Sequence, residues 1–306
     1  AGFSLNSFTR NRNYWDSNED GFSEIRQLRA TSYSLKAFYK PSELSKITFN
    51  GYNIYEYRRG GNEFHMPYHE TDITESTTHN ILNGGLTYEQ YTRNQDHKFS
   101  TYVVYQNLLR DSYYGSGKDL NAYGNSEGRS MVTGIQYTGK LGLFAGGPHT
   151  LVTGIEYNFD NLKDNAPAYG RNISQTATQI GIYVQDSWEA GSRINFLLGG
   201  RFDMHNLVGE PVLSPRANMV YKITSDLQFR IGYARGFRAP QVFDEDLHIT
   251  QVNGGGTVVT NANDLQPEYS NAYSTSLDFN KYLDDWSVGL TIDGFYTQLS
   301  NVFILE

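Results

Sequence analysis

The chain has 306 residues, with 25 Lys plus Arg against 33 Asp plus Glu for a formal charge of −8, and a mean hydropathy of −0.55. No stretch approaches the roughly 18 uninterrupted apolar residues of a membrane-spanning helix, and the acidic balance lacks the basic face that a nucleic-acid partner requires, so both classes are excluded. A transmembrane barrel survives these averages, because its strands set one polar residue beside each apolar one, and 24 Tyr with 17 Phe suit the aromatic girdles at the two edges of a bilayer.

The start, Ala1-Gly2-Phe3-Ser4-Leu5, has neither the basic region nor the apolar core of a signal peptide, and the end, Ile304-Leu305-Glu306, is abrupt. Both ends read as lying in or beside strands, so the chain is expected to be part of a longer polypeptide. Long polar loops are predicted at 10–20, 58–78, 110–128, 159–175, 204–214 and 238–268. Between them come tight turns at Pro41-Ser42-Glu43-Leu44-Ser45, Asn94-Gln95-Asp96, Glu189-Ala190-Gly191-Ser192, Thr224-Ser225-Asp226 and Leu283-Asp284-Asp285. Short periplasmic turns alternating with long extracellular loops characterise outer-membrane barrels, whereas a soluble sandwich has no reason to sort its connections. The connection at 139–149 breaks the rule, being longer than its neighbours on the short side.

Period-two alternation grows clear in the second half. Leu151, Ile155 and Tyr157 oppose Gly154, Glu156 and Asn158, and Ile194, Phe196, Leu198 and Phe202 oppose Asn195, Gly199, Arg201 and Asp203. Leu227, Phe229, Ile231 and Tyr233 oppose Gln228, Arg230, Gly232 and Ala234, and Trp286, Val288, Leu290, Ile292 and Tyr296 oppose Ser287, Gly289, Thr291, Asp293 and Thr297. The alternating runs extend for about 10 to 13 residues, which suits tilted membrane strands and exceeds the usual soluble strand. The predicted fold is therefore all-β: residues 1–306 form one domain, part of an antiparallel transmembrane β-barrel of about 13 strands. The absence of cysteine fits an oxidising compartment.

Three segments in order resemble a known family. Gly199-Gly200-Arg201-Phe202-Asp203 followed by Leu213-Ser214-Pro215-Arg216-Ala217 is similar to a paired "GGR-aromatic-D" and "SPR" hairpin. Tyr233-Ala234-Arg235-Gly236-Phe237-Arg238-Ala239-Pro240 resembles a "GFRAP" box, and Asn263-Asp264-Leu265-Gln266-Pro267-Glu268 resembles "NPDLKPE", with Ala262 and Asn263 departing from its opening Asn-Pro. Together these look like the barrel of the TonB-dependent outer-membrane receptors. The resemblance implies a closed barrel of 22 strands, of which this chain supplies about 13, and a plug that lies outside it. It also implies active uptake of a scarce metal chelate, whether cobalamin, haem or a ferric siderophore, driven by the inner-membrane TonB complex pulling on the plug, with no bond made or broken by the chain. The partners are then the chelate, outer-membrane lipid, the TonB complex and, in some systems, a surface lipoprotein over the loops. A passive porin or adhesin barrel is the alternative; an outer-membrane hydrolase is a weaker one, since Ser112, Ser116 and His248 lack any organising motif.

The motif residues Arg201, Asp203, Arg216, Phe237, Arg238, Pro240, Asp264, Leu265, Pro267 and Glu268 read as scaffold: proline and glycine end strands at the rim. Arg201, Arg216, Arg230 and Arg238 are predicted to pair inside the barrel with Asp203, Glu156, Asp278 and Asp293. Ligand contacts are sought in loops. His65 and His69, near Met66 and beside Arg58 and Arg59, offer metal ligation or simply loop packing. His248 lies between the second and third boxes, where haem receptors of the family carry a ligand histidine. Tyr113 and Tyr114 offer rings to a flat chelate. Asp16-Ser17-Asn18-Glu19-Asp20-Gly21 resembles the opening of a calcium loop, as does the acidic run Asp244-Glu245-Asp246 in its charge, but the first has Gln27 where the closing Glu belongs, so a solvated loop is the reading and no cofactor is expected beyond a calcium ion in such loops.

Overall fold

The computed structural model describes residues 1–242, 250–252, 255–257, 262 and 264–304. The chain forms β1 (Gly2–Arg12), β2 (Gln27–Ser42), β3 (Ser45–Gly61), β4 (Ile73–Tyr91), β5 (His97–Ser116), β6 (Tyr123–Phe144), β7 (Gly147–Ala166) and β8 (Arg171–Ala190). It continues with β9 (Ile194–His205), β10 (Val212–Lys222), β11 (Leu227–Arg238), a small hairpin of β12 (Thr250–Val252) and β13 (Gly255–Thr257), then β14 (Glu268–Leu283) and β15 (Trp286–Ser300). All but the hairpin join one 13-stranded sheet in chain order, each strand antiparallel to the next. The sheet is not closed: β1 and β15 are its two free edges.

Alternation along each strand sorts the residues onto two faces, and the register carries the sorting across the sheet. On one face Ile135, Ile155, Ile182, Phe202 and Leu213 stand side by side on five successive strands. They are 44–55% exposed although apolar. A soluble protein would cover such a row; a barrel turns it to lipid. Toward the short-turn side the same face carries an aromatic edge. His97 Nδ1 lies 2.7 Å from the Tyr137 hydroxyl, and the rings of His149, Trp188 and Phe196 stack in series at 5.5 and 5.2 Å. Rings with one wet atom are the residues that settle at an interface.

Strand lengths depart from the expectation. β4 to β8 run 19, 20, 22, 20 and 20 residues, whereas β9, β10 and β11 run 12, 11 and 12. The predicted loops shrink to match: 58–78 becomes 62–72, 110–128 becomes 117–122, 159–175 becomes 167–170, and 204–214 becomes 206–211, while the first moves from 10–20 to 13–26. The cause is physical. Above the lipid the outer face is as wet as the inner one, so Asp111, Asn125, Glu127, Arg129, Asn161 and Lys163 keep the hydrogen-bonded ladder without any hydropathy contrast. The anomaly at 139–149 also resolves. β6 and β7 extend through it to a two-residue turn, Ala145-Gly146, with φ of +47° and +86°, the all-positive pattern of the tight hairpin turn whose twist matches its strands.

Candidate functional site

The inner face is polar at mid-height and held together across strands. The Tyr102 hydroxyl donates to Glu156 Oε2 at 2.6 Å, and Arg201 bonds Glu156 at 3.1 Å and Asp203 at 2.7 Å. Gln179 adds a bond to Asp203 at 2.7 Å, and the Tyr183 hydroxyl donates to Gln136 at 3.0 Å. These side chains lie flat because their neighbours are glycine: a Cβ on Gly134 would strike Tyr102, one on Gly154 the Tyr183 hydroxyl, and one on Gly181 both Arg201 and Asp203. A second pair, Arg230 with Asp278 at 3.3 Å, is reinforced by Thr291 donating to Asp278 at 2.9 Å. The predicted network is therefore split in two. Arg216 and Asp293 lie outside it, both exposed, and Arg238 pairs with Glu268 at 3.8 Å.

Higher up the same face, burial tightens. Asp164 receives Arg171 Nε at 2.5 Å and Arg110 Nη2 at 3.5 Å, with Ser126 donating to it at 2.5 Å, and the three charged groups are only 2–5% exposed. Tyr114 packs beside them against Ala166, with the Tyr169 hydroxyl on its carbonyl oxygen. The segment after β11 folds inward here: Val242 N donates to Gln175 at 2.9 Å, and its side chain packs on Leu162 and Ile173.

Register decides where the sequence candidates sit. Tyr113 and Tyr114 lie in β5 rather than in the predicted loop 110–128 and point to opposite faces, so at most one of the two rings faces the inside of the barrel. Tyr114 faces inward, while Tyr113 faces outward above the lipid, 1% exposed beneath the loop 62–72. Burial pushes its hydroxyl up to about 12, so it stays neutral and donates to the Asp119 carbonyl at 3.0 Å. His69 belongs to this outer packing, its Nδ1 2.9 Å from the Tyr123 hydroxyl, and His65 is exposed at the loop surface. Arg59 is the post on which the loop is built: its guanidinium donates to the carbonyls of Glu63, Phe64 and Met66 at 3.1–3.3 Å and lies over the Phe64 and Tyr68 rings. Tyr14 stacks on Phe64 in turn at 3.7 Å, fastening the segment 13–26 to the same post. Arg58, by contrast, faces inward, paired with Glu56 at 2.7 Å. His248 and the run Asp244-Glu245-Asp246 lie outside the described residues.

Arg59→Ala removes hydrogen bonds from a charged donor worth about 1.5–3 kcal/mol, so the loop 62–72 should open ten- to a hundredfold more often while the barrel stays folded. Proteolysis in that loop at low protease concentration reads the change, since cleavage follows the open population; unchanged cleavage would remove Arg59 from this role.

The remaining motif residues serve the rim. Phe237 packs with Val208, Val212, Ala239 and Tyr269, and Pro240 follows directly where the chain leaves the sheet. The Glu268 carboxylate accepts from Phe303 N at 2.8 Å, and Asn301 donates to the Pro267 carbonyl at 3.3 Å, while Asp264 and Leu265 lead into β14. One group among the described residues could hold a hard cation: carboxylates of Asp16, Asp20 and Glu24 converge within 4.8 Å. Glu24, three positions short of Gln27, supplies the third ligand atom that the sequence spacing does not reveal.

The profile described as "TonB dependent receptor-like, beta-barrel" matches residues 2–305. An iron-regulated outer membrane virulence protein of Vibrio cholerae serotype O1 is 33% identical over 127 residues, which is 40% of this chain and 19% of the relative. Among solved structures, a double mutant of the Serratia marcescens hemophore receptor, in complex with its hemophore and heme, matches with a TM-score of 0.75 at 13% identity over 98% of this chain and 50% of that one. A double mutant of the ferric enterobactin receptor of Pseudomonas aeruginosa matches with a TM-score of 0.69 at 15% identity over 91% and 44%. At such identities the structures attest the fold alone, and the chain spans about half the length of each.

Proposed function

The chain belongs to the TonB-dependent receptor-like β-barrel family and is an outer-membrane barrel, and from that premise we propose that the protein carrying it imports a large iron chelate, a ferric siderophore or haem. The observation that carries the reading is the match over nearly the whole chain to a family of receptors rather than enzymes. Iron is preferred over cobalamin because the Vibrio relative is named as iron-regulated and the structural neighbours are named for ferric enterobactin and heme. In this reading the polar inner wall meets a plug outside this chain. The bonded carboxylates and guanidiniums around Arg201 hold strand register while the plug moves, and the TonB complex supplies the energy. The chelate is captured at the inner rim, where β4 to β8 rise above the lipid.

The test is growth of a deletion strain with each chelate as sole iron source, paired with uptake of the radiolabelled iron. Loss of uptake for one ferric siderophore or for haem, restored by the gene and abolished by a proton uncoupler, is expected. Undiminished uptake of every iron chelate would overturn the proposal, and uptake that survives the uncoupler would favour a passive pore.

A further inference from the structure

The outer face of the shorter flank is almost free of charge. By register with Phe202 and Leu213, the outward positions are the even residues of β9 and β15 and the odd residues of β10, β11 and β14. None of them is Asp or Glu. Two are cations: Lys281, beside Val288 near the turn that follows β14, and Arg235 at the opposite end of the wall.

The neighbouring strands set the height of Arg235. From Trp286 to Tyr296 the outward positions of β15 are apolar or aromatic, with Gly294 the only gap, a length that matches the ~9–11 residues of a membrane-spanning strand. Tyr296 shares a rung with Tyr273 and Tyr233, and their rings form a row with centroids 6.2 and 5.1 Å apart. Tyr273 and Tyr296 are 47% and 63% exposed, so the row is open to the membrane and marks its extracellular edge. The next rung, Arg235, Asn271 and Gln298, holds nothing apolar, and the Tyr233 hydroxyl reaches up to it, donating to Asn271 Oδ1 at 2.9 Å. Arg235 therefore stands one rung above the acyl chains, at headgroup height.

Its guanidinium is held without being neutralised. It lies 5.1 Å from the centre of the Tyr269 ring and forms no ion pair among the described residues. Both strands flanking it, β10 and β14, belong to this chain. Glu268, the one carboxylate on the extracellular half of β11 and β14, faces inward, where it pairs with Arg238 and accepts from Phe303 N. The chain after β11 also departs inward, with Val242 N on Gln175. The taller flank is built differently: Arg129, an outward cation of β6, is matched by Glu127 at 2.7 Å. A cation poised on a ring above a carboxylate-free wall complements an anion that arrives in the plane of the membrane.

We propose that the outer wall around Arg235 binds a phosphorylated glycolipid of the outer leaflet, with its phosphate on the guanidinium and its sugar and the roots of its acyl chains against Tyr233, Tyr273 and Tyr296. Guanidinium meets phosphate through paired hydrogen bonds. Tyrosine supplies an apolar ring beside a hydroxyl, which suits the zone where sugar gives way to hydrocarbon. The assignment rests on the outer-membrane placement of the barrel and is independent of what the receptor imports.

The experiment titrates the purified full-length receptor in detergent micelles with diphosphorylated lipid A, its dephosphorylated form and phosphatidylglycerol, and counts bound lipid by native mass spectrometry. Diphosphorylated lipid A should bind best of the three. Arg235→Ala should weaken it about tenfold and Tyr273→Ala about threefold, whereas Arg129→Ala on the taller flank should stay within about twofold of the parent. Arg235→Lys, which keeps the charge but loses the fork, should fall between parent and alanine variant. Folding of each variant is checked by its heat-modifiable migration on gels. A parent that ignores lipid A, full-strength binding by Arg235→Ala, equal binding of the dephosphorylated form, or an equal loss in Arg129→Ala overturns the site. Phosphatidylglycerol bound as tightly as lipid A overturns the glycolipid assignment.

Discussion

Asp164→Ala is expected to destabilise the folded barrel by about 3–5 kcal/mol, because it takes the carboxylate away from two guanidiniums that are themselves buried. Arg110, Asp164 and Arg171 come from β5, β7 and β8, and Ser126 on the intervening β6 closes the group with bonds to both Arg110 and Asp164. A buried pair of this kind contributes little relative to apolar residues of the same shape, yet removing one member leaves charge in a poorly solvated place. The contrast makes the prediction specific. Changing Arg110, Asp164 and Arg171 together to apolar residues should cost less than the single change at Asp164. Urea midpoints of the refolded full-length protein in micelles measure both; a loss below about 1 kcal/mol for the single change would show that water already reaches the cluster.

Ile182→Arg is expected to cost about 2–4 kcal/mol, the penalty for a cation placed on the lipid face near mid-bilayer. The same substitution at Ser34, on the inner face of β2 by register with Asn6 and Tyr52, should stay within about 0.5 kcal/mol. The two sites separate the barrel from any arrangement that covers the Ile135 to Leu213 row with protein, since a covered Ile182 would cost still more and an Ile182 facing water would cost almost nothing. Unfolding in lipid vesicles by urea gives the comparison directly.

Within the lipid, the fold was legible because solvent differs across the wall: Phe196, Leu198 and Phe202 alternate with Gly199, Arg201 and Asp203, the order of a strand with one apolar face, and the sorting of short turns from long connections then favoured a barrel. Turns were legible for a separate reason, since Thr224-Ser225-Asp226 and Gly191 carry local backbone preferences. Strand ends above the lipid were not, because Asp111, Arg129 and Lys163 keep pairing where neither face is apolar. The same failure hid the site. Had the extended pairing been known through residue 116, period two alone would have sent Tyr113 and Tyr114 to opposite faces and separated Arg58 from Arg59. The Arg201 and Asp203 bond could be guessed from their shared face two residues apart. The Asp164 cluster could not, because Arg110 and Asp164 are 54 positions apart and only the register of three strands brings them together.

The unequal strands have a mechanical outcome for whatever approaches from outside. β8 is 20 residues long and β9 only 12, pairing with it from Gln179 onward, so one flank stands 8 residues, roughly 26 Å along the strand, taller than the other. The lip of the sheet is lopsided. A bulky body descending along the axis touches the tall flank first and is deflected toward the low one, so its orientation is narrowed by steric shape before any particular side chain has been met.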